Sequence, residues 1–381
     1  MTLTPNEQLR AKSRAHILNE ICRSGPIARV ELAEVTGQSR ATVTNITAEL
    51  IEHGVVLEQQ TVPSTGKGRR RVMLELNPDA AYVVGIKVMM FHVSVAVTDF
   101  KARIRASVTV PVRANARPLS HLADTIEDGI RNCVHEARLT MSSIAGVGLA
   151  IPGFVDKKTG HCLWTPLYQK DGTSLRDHLQ QRLDIPTYVE NDANAMALAE
   201  QWFGHGRNVA DFLLISLEQG IGFGIVACGK LYRGATGIGA ELGHMVVEPD
   251  GAPCRCGKKG CLEAYAGGSG MLQAAKEAHA RGEWKHPTIK ALFMEEMIEL
   301  AQKGEPALAQ ILERGGRLLG RSIAGLLQIF NPSRIIITGQ YVSVGDLFFD
   351  PMREEIRLRA NKEQFEAHEL VIRSWKSTDW A

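Results

Sequence analysis

One imidazole and three thiols lie close together in "HMVVEPDGAPCRCGKKGCLEAYA", at the spacing His244-x9-Cys254-x-Cys256-x4-Cys261. Neighbouring thiols oxidise or capture metal. The opening "MTLTPNEQLRAKSR" has no apolar core that could serve as a secretory signal, which points to the reducing cytoplasm, where disulfides are rare. Three thiolates and one imidazole suit a closed, tetrahedral, structural Zn²⁺ site with no open position for water. Gly257 and Gly260 would permit the tight turns, and Lys258 and Lys259 would partly offset the thiolate charge. The other cysteines, Cys22, Cys133, Cys162 and Cys228, are scattered and read as small hydrophobes.

A second group of residues could read nucleic acid. In "QSRATVTNITAELIEHG", Val43, Ile46 and Leu50 form the inward stripe of a helix and Ser39 is its N-cap. Arg40, Thr42, Thr44 and Asn45 are left facing outward near its start. Arginine pairs with guanine and asparagine with adenine in the major groove. Upstream, Ala33 and Gly37 fall where a helix-turn-helix needs a small residue and a turn. The helices alone would also fit a plain bundle. The next segment, "VVLEQQTVPSTGKGRRRVMLEL", decides for DNA, because its two strand-like arms flank a tip carrying Lys67, Arg69, Arg70 and Arg71 with no acid among them. This is the wing of a winged helix-turn-helix module, ending at "NPDA".

A chain of 381 residues is too long for one ordinary core, and two or three domains follow. The most apolar stretch, "YVVGIKVMMFHVSVAV", is broken by Lys87 and His92, which argues against a membrane span. Beyond Tyr82, strand hairpins and crossover helices alternate twice, implying an α/β fold of two lobes with a cleft between them.

"IPGFVD", "VENDANAMALAE", "GKLYRGATGIGAELGHM", "CRCGKKGCLEAYAGG" and "NPSRIIITG" resemble the signature stretches of the ROK family of repressors, open reading frames and sugar kinases, in the family's order. With the DNA-binding segment ahead of them, the chain is similar to the family's repressor branch. The resemblance implies two actin-like, ribonuclease-H-like lobes behind a winged helix-turn-helix. The expected domains are 1–79 for the winged helix, 80–190 plus 356–381 for the first lobe, and 191–355 for the second, with the zinc and a sugar pocket. It also implies that Asn191, Asp192, Glu241, His244 and Glu263 contact sugar, which suits the chemistry of carboxylates and amides toward hydroxyls. His244 would hold zinc through one ring nitrogen and face the sugar with the other.

Set against the kinases' G-I-D-L-G-G-T, the first phosphate hairpin reads "GIKVMMF", with Lys87, Met89, Met90 and Phe91 replacing the aspartate, both glycines and the threonine. The second, "EQGIGFG", keeps Gly220, Gly222 and Gly224 but has Gln219 and Phe223, and the nucleoside loop has Gln340 and Tyr341 in place of further glycines. ATP binding is therefore expected to be lost, Asp192 to have no proton to transfer, and no residue to be catalytic. The stretch that closes on sugar in the kinases is replaced by "PLYQKDG". The reading is a sugar- or sugar-phosphate-responsive repressor, a homodimer or homotetramer binding operator DNA. The alternatives are a sugar kinase with a regulatory head, or a repressor governed by a protein partner. The chain ends at "STDWA", where family members continue into a helix packing on the first lobe.

Overall fold

The computed structural model describes residues 4–60, 71–112, 118–156, 158–168, 174–286, 289 and 292–374. Helix α1 (Pro5–Ser24) starts at a reciprocal cap, in which the Thr4 hydroxyl accepts from the Glu7 amide and the Glu7 carboxylate accepts from the Thr4 amide. Of its apolar residues Ile17 and Ile21 are buried, whereas Leu9 lies out in solvent. After β1 (Ile27–Ala28) and α2 (Arg29–Thr36), Gly37 takes a left-handed φ of 64° and turns the chain into α3 (Arg40–Glu52). Val43, Ile46 and Leu50 of α3 join Leu32 and Ala33 in a core closed by the hairpin β2 (Val56–Gln60) and β3 (Val72–Leu76). The hairpin is antiparallel, from Val56↔Leu76 to Gln60↔Val72, and β1 pairs with β3 on its other side. The hairpin tip, with Lys67, Arg69 and Arg70, lies outside the described residues.

Two five-stranded sheets follow. The first comprises β4 (Tyr82–Val88), β5 (His92–Asp99), β6 (Ile104–Pro111), β7 (Ile144–Ile151) and β10 (Thr187–Asn191) in the order β10-β7-β4-β5-β6. Helix α4 (Leu119–Glu136) packs its buried face on β5 and β6, and α5 (Leu175–Leu183) follows the small hairpin β8 (Phe154–Val155) and β9 (Cys162–Trp164). The second sheet comprises β11 (Phe212–Leu217), β12 (Ile221–Ala227), β13 (Lys230–Leu231), β14 (Arg334–Thr338) and β15 (Glu369–Ile372), in the order β13-β12-β11-β14-β15. Numbered within each lobe, both orders are 3-2-1-4-5: an antiparallel meander, then two strands added on the other side of the first. The helices of the second lobe are α6 (Asp192–Phe203), α7 (Glu263–Ala266), α8 (Gly268–Ala280), α9 (Met294–Gln302), α10 (Pro306–Phe330), α11 (Asp346–Arg359) and α12 (Lys362–Ala367).

This order corrects one expected boundary. Residues 356–381 were assigned to the first lobe, but β15 pairs in parallel with β14 from Arg334↔Glu369 to Ile337↔Ile372. The reason is the open edge of β14, whose buried Ile335, Ile336 and Ile337 need a neighbour. The chain divides into two compact units, one spanning Met1–Leu149 with Pro166–Tyr188, the other Ala150–Thr165 with Val189 onward.

Within the first unit, the β5–β6 turn is built onto the winged helix. Asp99 is fully buried, and its carboxylate accepts from the amides of Lys101 (2.9 Å) and Arg103 (3.1 Å) and from Arg103 Nε (2.9 Å). That tight turn, with Ala102 at φ 58°, projects Phe100 against the winged-helix core. The Phe100 amide donates to the Pro78 carbonyl at 3.0 Å, and Lys101 pairs with Glu75 of β3. Phe100→Ala removes a half-buried ring, a loss of about 1–3 kcal/mol. Limited proteolysis should then cut faster between Asn77 and Ala81, with the melting of the second unit unchanged; an unaltered cleavage rate would mean that the turn does not hold the winged helix.

Candidate functional site

Two irregular loops of the second unit carry the expected metal ligands. A single 3₁₀ turn, Leu242–His244, presents the imidazole, and the 254–261 loop presents the thiols. The loops are tied by backbone bonds, Leu262 N–H to the Met245 carbonyl (2.9 Å) and Val247 N–H to the Gly260 carbonyl (2.8 Å). Gly257 at φ 87° and Gly260 at φ 74° make the reversals expected of them. One ligand atom from each of His244, Cys254, Cys256 and Cys261 lies within 4.8 Å of all the others. Cys256 Sγ and Cys261 Sγ are 3.8 Å apart, and Cys254 Sγ is 3.6 Å from His244 Nδ1. A tetrahedron with metal–sulfur bonds of about 2.3 Å and metal–nitrogen bonds of about 2.0–2.1 Å has edges of about 3.8 Å and about 3.6 Å. The donor set therefore fits one tetrahedral thiophilic ion. Burial pushes the Cys254 thiol up to about 12 and also raises Cys261, so without an ion these sulfurs keep their protons.

Three carboxylates stand beside the loops. Asp192 opens α6, Glu241 precedes the 3₁₀ turn, and Glu263 opens α7. Burial, then the negative charges of Asp192 and Glu263, push Glu241 up to about 7. Glu263 is 3 % exposed and internally satisfied. Its Oε1 accepts from Arg255 Nε at 2.6 Å, and its Oε2 from Arg255 Nη2 at 3.1 Å and the Ile221 amide at 3.2 Å. Asn191 caps α6, accepting from the Asn194 amide (3.1 Å) while its own NH₂ donates to the Gly153 carbonyl (3.0 Å). It supports the site and keeps one donor and one acceptor position spare. His244 turns Nδ1 to Cys254, which leaves Nε2 as the other donor or acceptor.

Arg255 and Arg233 were not anticipated. Arg233 pairs with Glu190 at 2.6 Å, and Glu190 also accepts from Asn194 Nδ2 (3.0 Å), which holds the strand end carrying Asn191 and Asp192. Arg255 sits inside the Cys-x-Cys step, so its one available signal was a cation placed between two thiol ligands.

At positions where the resemblance implies glycines in the kinases, this chain carries larger side chains. Met89 and Met90 form the half-buried β4–β5 turn, and Lys87 is buried on β4. In the second unit Tyr341 is buried, accepts from Gln219 Nε2 at 2.5 Å, and lies where any side chain at Gly268 would collide with its ring. Burial first, then the charges of Glu295 and Glu218, raise its phenol to about 12, so it stays neutral. The kept glycines serve packing rather than a turn. A Cβ at Gly224 would lie 2.7 Å from Ala197 Cβ, and one at Gly222 2.9 Å from Ala193 Cβ, so both let α6 approach β12.

On α3, Ser39 accepts from the Thr42 amide at 3.1 Å, and Thr44 donates to the Arg40 carbonyl. Arg40, Thr44 and Asn45 are exposed, and Arg40 and Asn45 have no side-chain hydrogen bond among the described residues. Arg71, in contrast, pairs with Glu31 at 2.9 Å.

Residues 83–379 match the ROK family and residues 11–56 match a winged helix-turn-helix DNA-binding family. A xylose repressor of Caldicellulosiruptor bescii is 30 % identical over 365 residues, covering 94 % of this chain and 90 % of the relative. A crystal structure of a ROK family transcriptional regulator, a homologue of the Escherichia coli MLC protein, superposes with a TM-score of 0.83 at 25 % identity, covering 98 % of this chain and 94 % of that one. A ROK family glucokinase from Streptomyces griseus, in complex with glucose and AMPPNP, gives 0.66 at 29 % identity, over 77 % and 94 %. Among the described residues no helix is long and apolar enough to cross a membrane.

Elemental analysis of protein purified without added metal should find about one tightly held ion per chain. Cys256→Ser should lower both that content and the yield of soluble protein. A folded wild-type protein free of metal would refute the assignment.

Proposed function

Because the chain belongs to the ROK family and carries a winged helix-turn-helix ahead of the family region, we propose that it is a sugar-responsive transcriptional repressor of the cytoplasm. One observation carries this reading: a helix with unpartnered Arg40 and Asn45 and a carboxylate-lined site beside a metal knuckle occur in one chain. The similarity of nearly the whole length to a xylose repressor supports it. The ion is zinc, held by His244, Cys254, Cys256 and Cys261; when bound it supplies a structural clamp and no reacting water.

Asp192, Glu241 and Glu263 would accept hydroxyls of the effector, with Asn191 and His244 beside them. Ser39, Arg40, Thr42, Thr44 and Asn45 would meet base edges and phosphates, while Lys67, Arg69 and Arg70 of the wing would meet phosphate. Arg71 reaches DNA only by leaving Glu31. Two-fold operators favour a homodimer or homotetramer, since one module rarely supplies enough specificity. Sugar would stabilise one conformation of the sensor and shift the heads' affinity for DNA.

The sensor reading excludes turnover. Met89, Met90, Lys87, Tyr341 and Gln219 together oppose nucleotide binding, and Asp192, the position of the kinases' general base, would then be a sugar ligand. The likeness to a glucokinase and the presence of Asp192 favour the rival reading, a kinase with a DNA-binding head.

Two experiments test the proposal. In operator binding, Arg40→Ala should relax preference at one base pair at a cost of about 1–3 kcal/mol. Neutralising Lys67, Arg69 and Arg70 should weaken binding to every sequence and flatten its salt dependence, because fewer counterions are released. An unchanged salt slope would remove the wing from the interface.

In a thermal-shift screen, an effector sugar at a hundredfold excess over its Kd should add about 2.7 kcal/mol of stability. The same sugar should alter operator affinity by reciprocal coupling, and Glu241→Ala should abolish the response but not ligand-free DNA binding. Steady ATP-dependent phosphorylation that vanishes in Asp192→Asn would make the protein a kinase. DNA binding that no sugar alters would favour control by a protein partner.

A further inference from the structure

Arg255 lies between two of the metal ligands, yet its side chain serves the ligand pocket. It grips Glu263 with two parallel bonds, Nε to Oε1 at 2.6 Å and Nη2 to Oε2 at 3.1 Å. A carboxylate as buried as Glu263 is costly unless it is paired, and among the described residues Arg255 is its one ion-pair partner. The pair also explains Gly220, where any side chain would collide with both Glu263 Oε2 and Arg255 Nη2. Oε2 is filled by Nη2 and the Ile221 amide, while Oε1 accepts from Arg255 Nε and, at 4.0 Å, from the Cys254 thiol; a Cys254 that gives up its proton to a metal leaves one acceptor position open on Oε1. Its direction is set by the fork of the guanidinium, and the fork is set by the backbone on either side, Cys254 and Cys256.

We propose that Arg255 is the positioning residue through which metal loading reaches the ligand pocket: closing the knuckle on Cys254 and Cys256 fixes the guanidinium, and the guanidinium fixes Glu263 for a sugar hydroxyl. The proposal rests on the sugar-sensor reading. Opening the knuckle frees the backbone of Arg255 and returns the Cys254 thiol to Glu263 Oε1, so Glu263 loses the orientation that the guanidinium gave it. The coupling is reciprocal, so sugar held by Glu263 slows metal loss.

The test uses the full-length, zinc-loaded protein with D-xylose and D-glucose as probes. Melting shifts and the rate of zinc release to EDTA are followed with and without sugar. Wild type should show a sugar-induced shift and slower zinc release in the presence of that sugar. Arg255→Ala should still hold zinc, bind the sugar about tenfold or more weakly, and lose the sugar's protection of zinc. Arg255→Lys, which keeps the charge but not the fork, should fall between the two and covers the case in which the alanine variant fails to fold. Full protection of zinc by sugar in either variant would overturn the proposal while leaving the sensor intact. Equal loss of sugar affinity on zinc removal in wild type and Arg255→Ala would also overturn it, because the metal would then act by another route. A wild type that responds to neither sugar would remove the sensor reading for these sugars and the coupling with it.

Discussion

Three negative charges brought into one partly dry volume repel one another, and the second unit is arranged around that repulsion. Asp192, Glu241 and Glu263 come from a helix start, a 3₁₀ turn and a short helix that are far apart in sequence. Between like charges a low local dielectric makes the repulsion stronger than in water. Each acid meets it differently. Glu263 is neutralised by a guanidinium, Asp192 sits at the N-terminal end of a twelve-residue helix, and Glu241, with no such partner, holds its proton up to about 7. A metal joining His244 to the three thiols would add rigidity to the backbone bonds between the two loops, because it would bind both at once.

The same unit holds glycines that answer to the protein's own packing. Gly220, Gly222 and Gly224 look like a phosphate hairpin, but each is required by a neighbour in the protein itself: the Arg255–Glu263 pair for the first and α6 for the other two. Gln219 donates to the Tyr341 hydroxyl and so holds the β11–β12 hairpin to the loop after β14. The presence of these glycines therefore says little about nucleotide binding.

What could be read from sequence followed the range of the interactions involved. The cap at Ser39, the stripe Val43–Ile46–Leu50 and the left-handed Gly37 are set by neighbours within a few residues, and all appear as expected. The metal cluster was legible because four uncommon side chains are close in sequence. The assignment of residues 356–381 was not, since β15 is placed by a sheet edge some thirty residues earlier and carries no sign of which sheet it joins. The exposed Leu9 shows a related limit, because apolar periodicity does not reveal which end of a stripe is packed. Arg255 was overlooked because its sequence neighbours are thiols, whereas its partner comes from α7.

The strand order of the second sheet has a consequence during synthesis. β11 lies between β12, which follows it at once, and β14, whose Arg334 stands opposite Phe212 only after more than a hundred intervening residues have been made. The winged helix and the β4–β6 meander, by contrast, are built from adjacent segments and can fold while the rest is still being translated. On the proposed function, the DNA-binding head would therefore form before the effector site, and lesions in β14 or β15 would disturb the effector site while the head still folds.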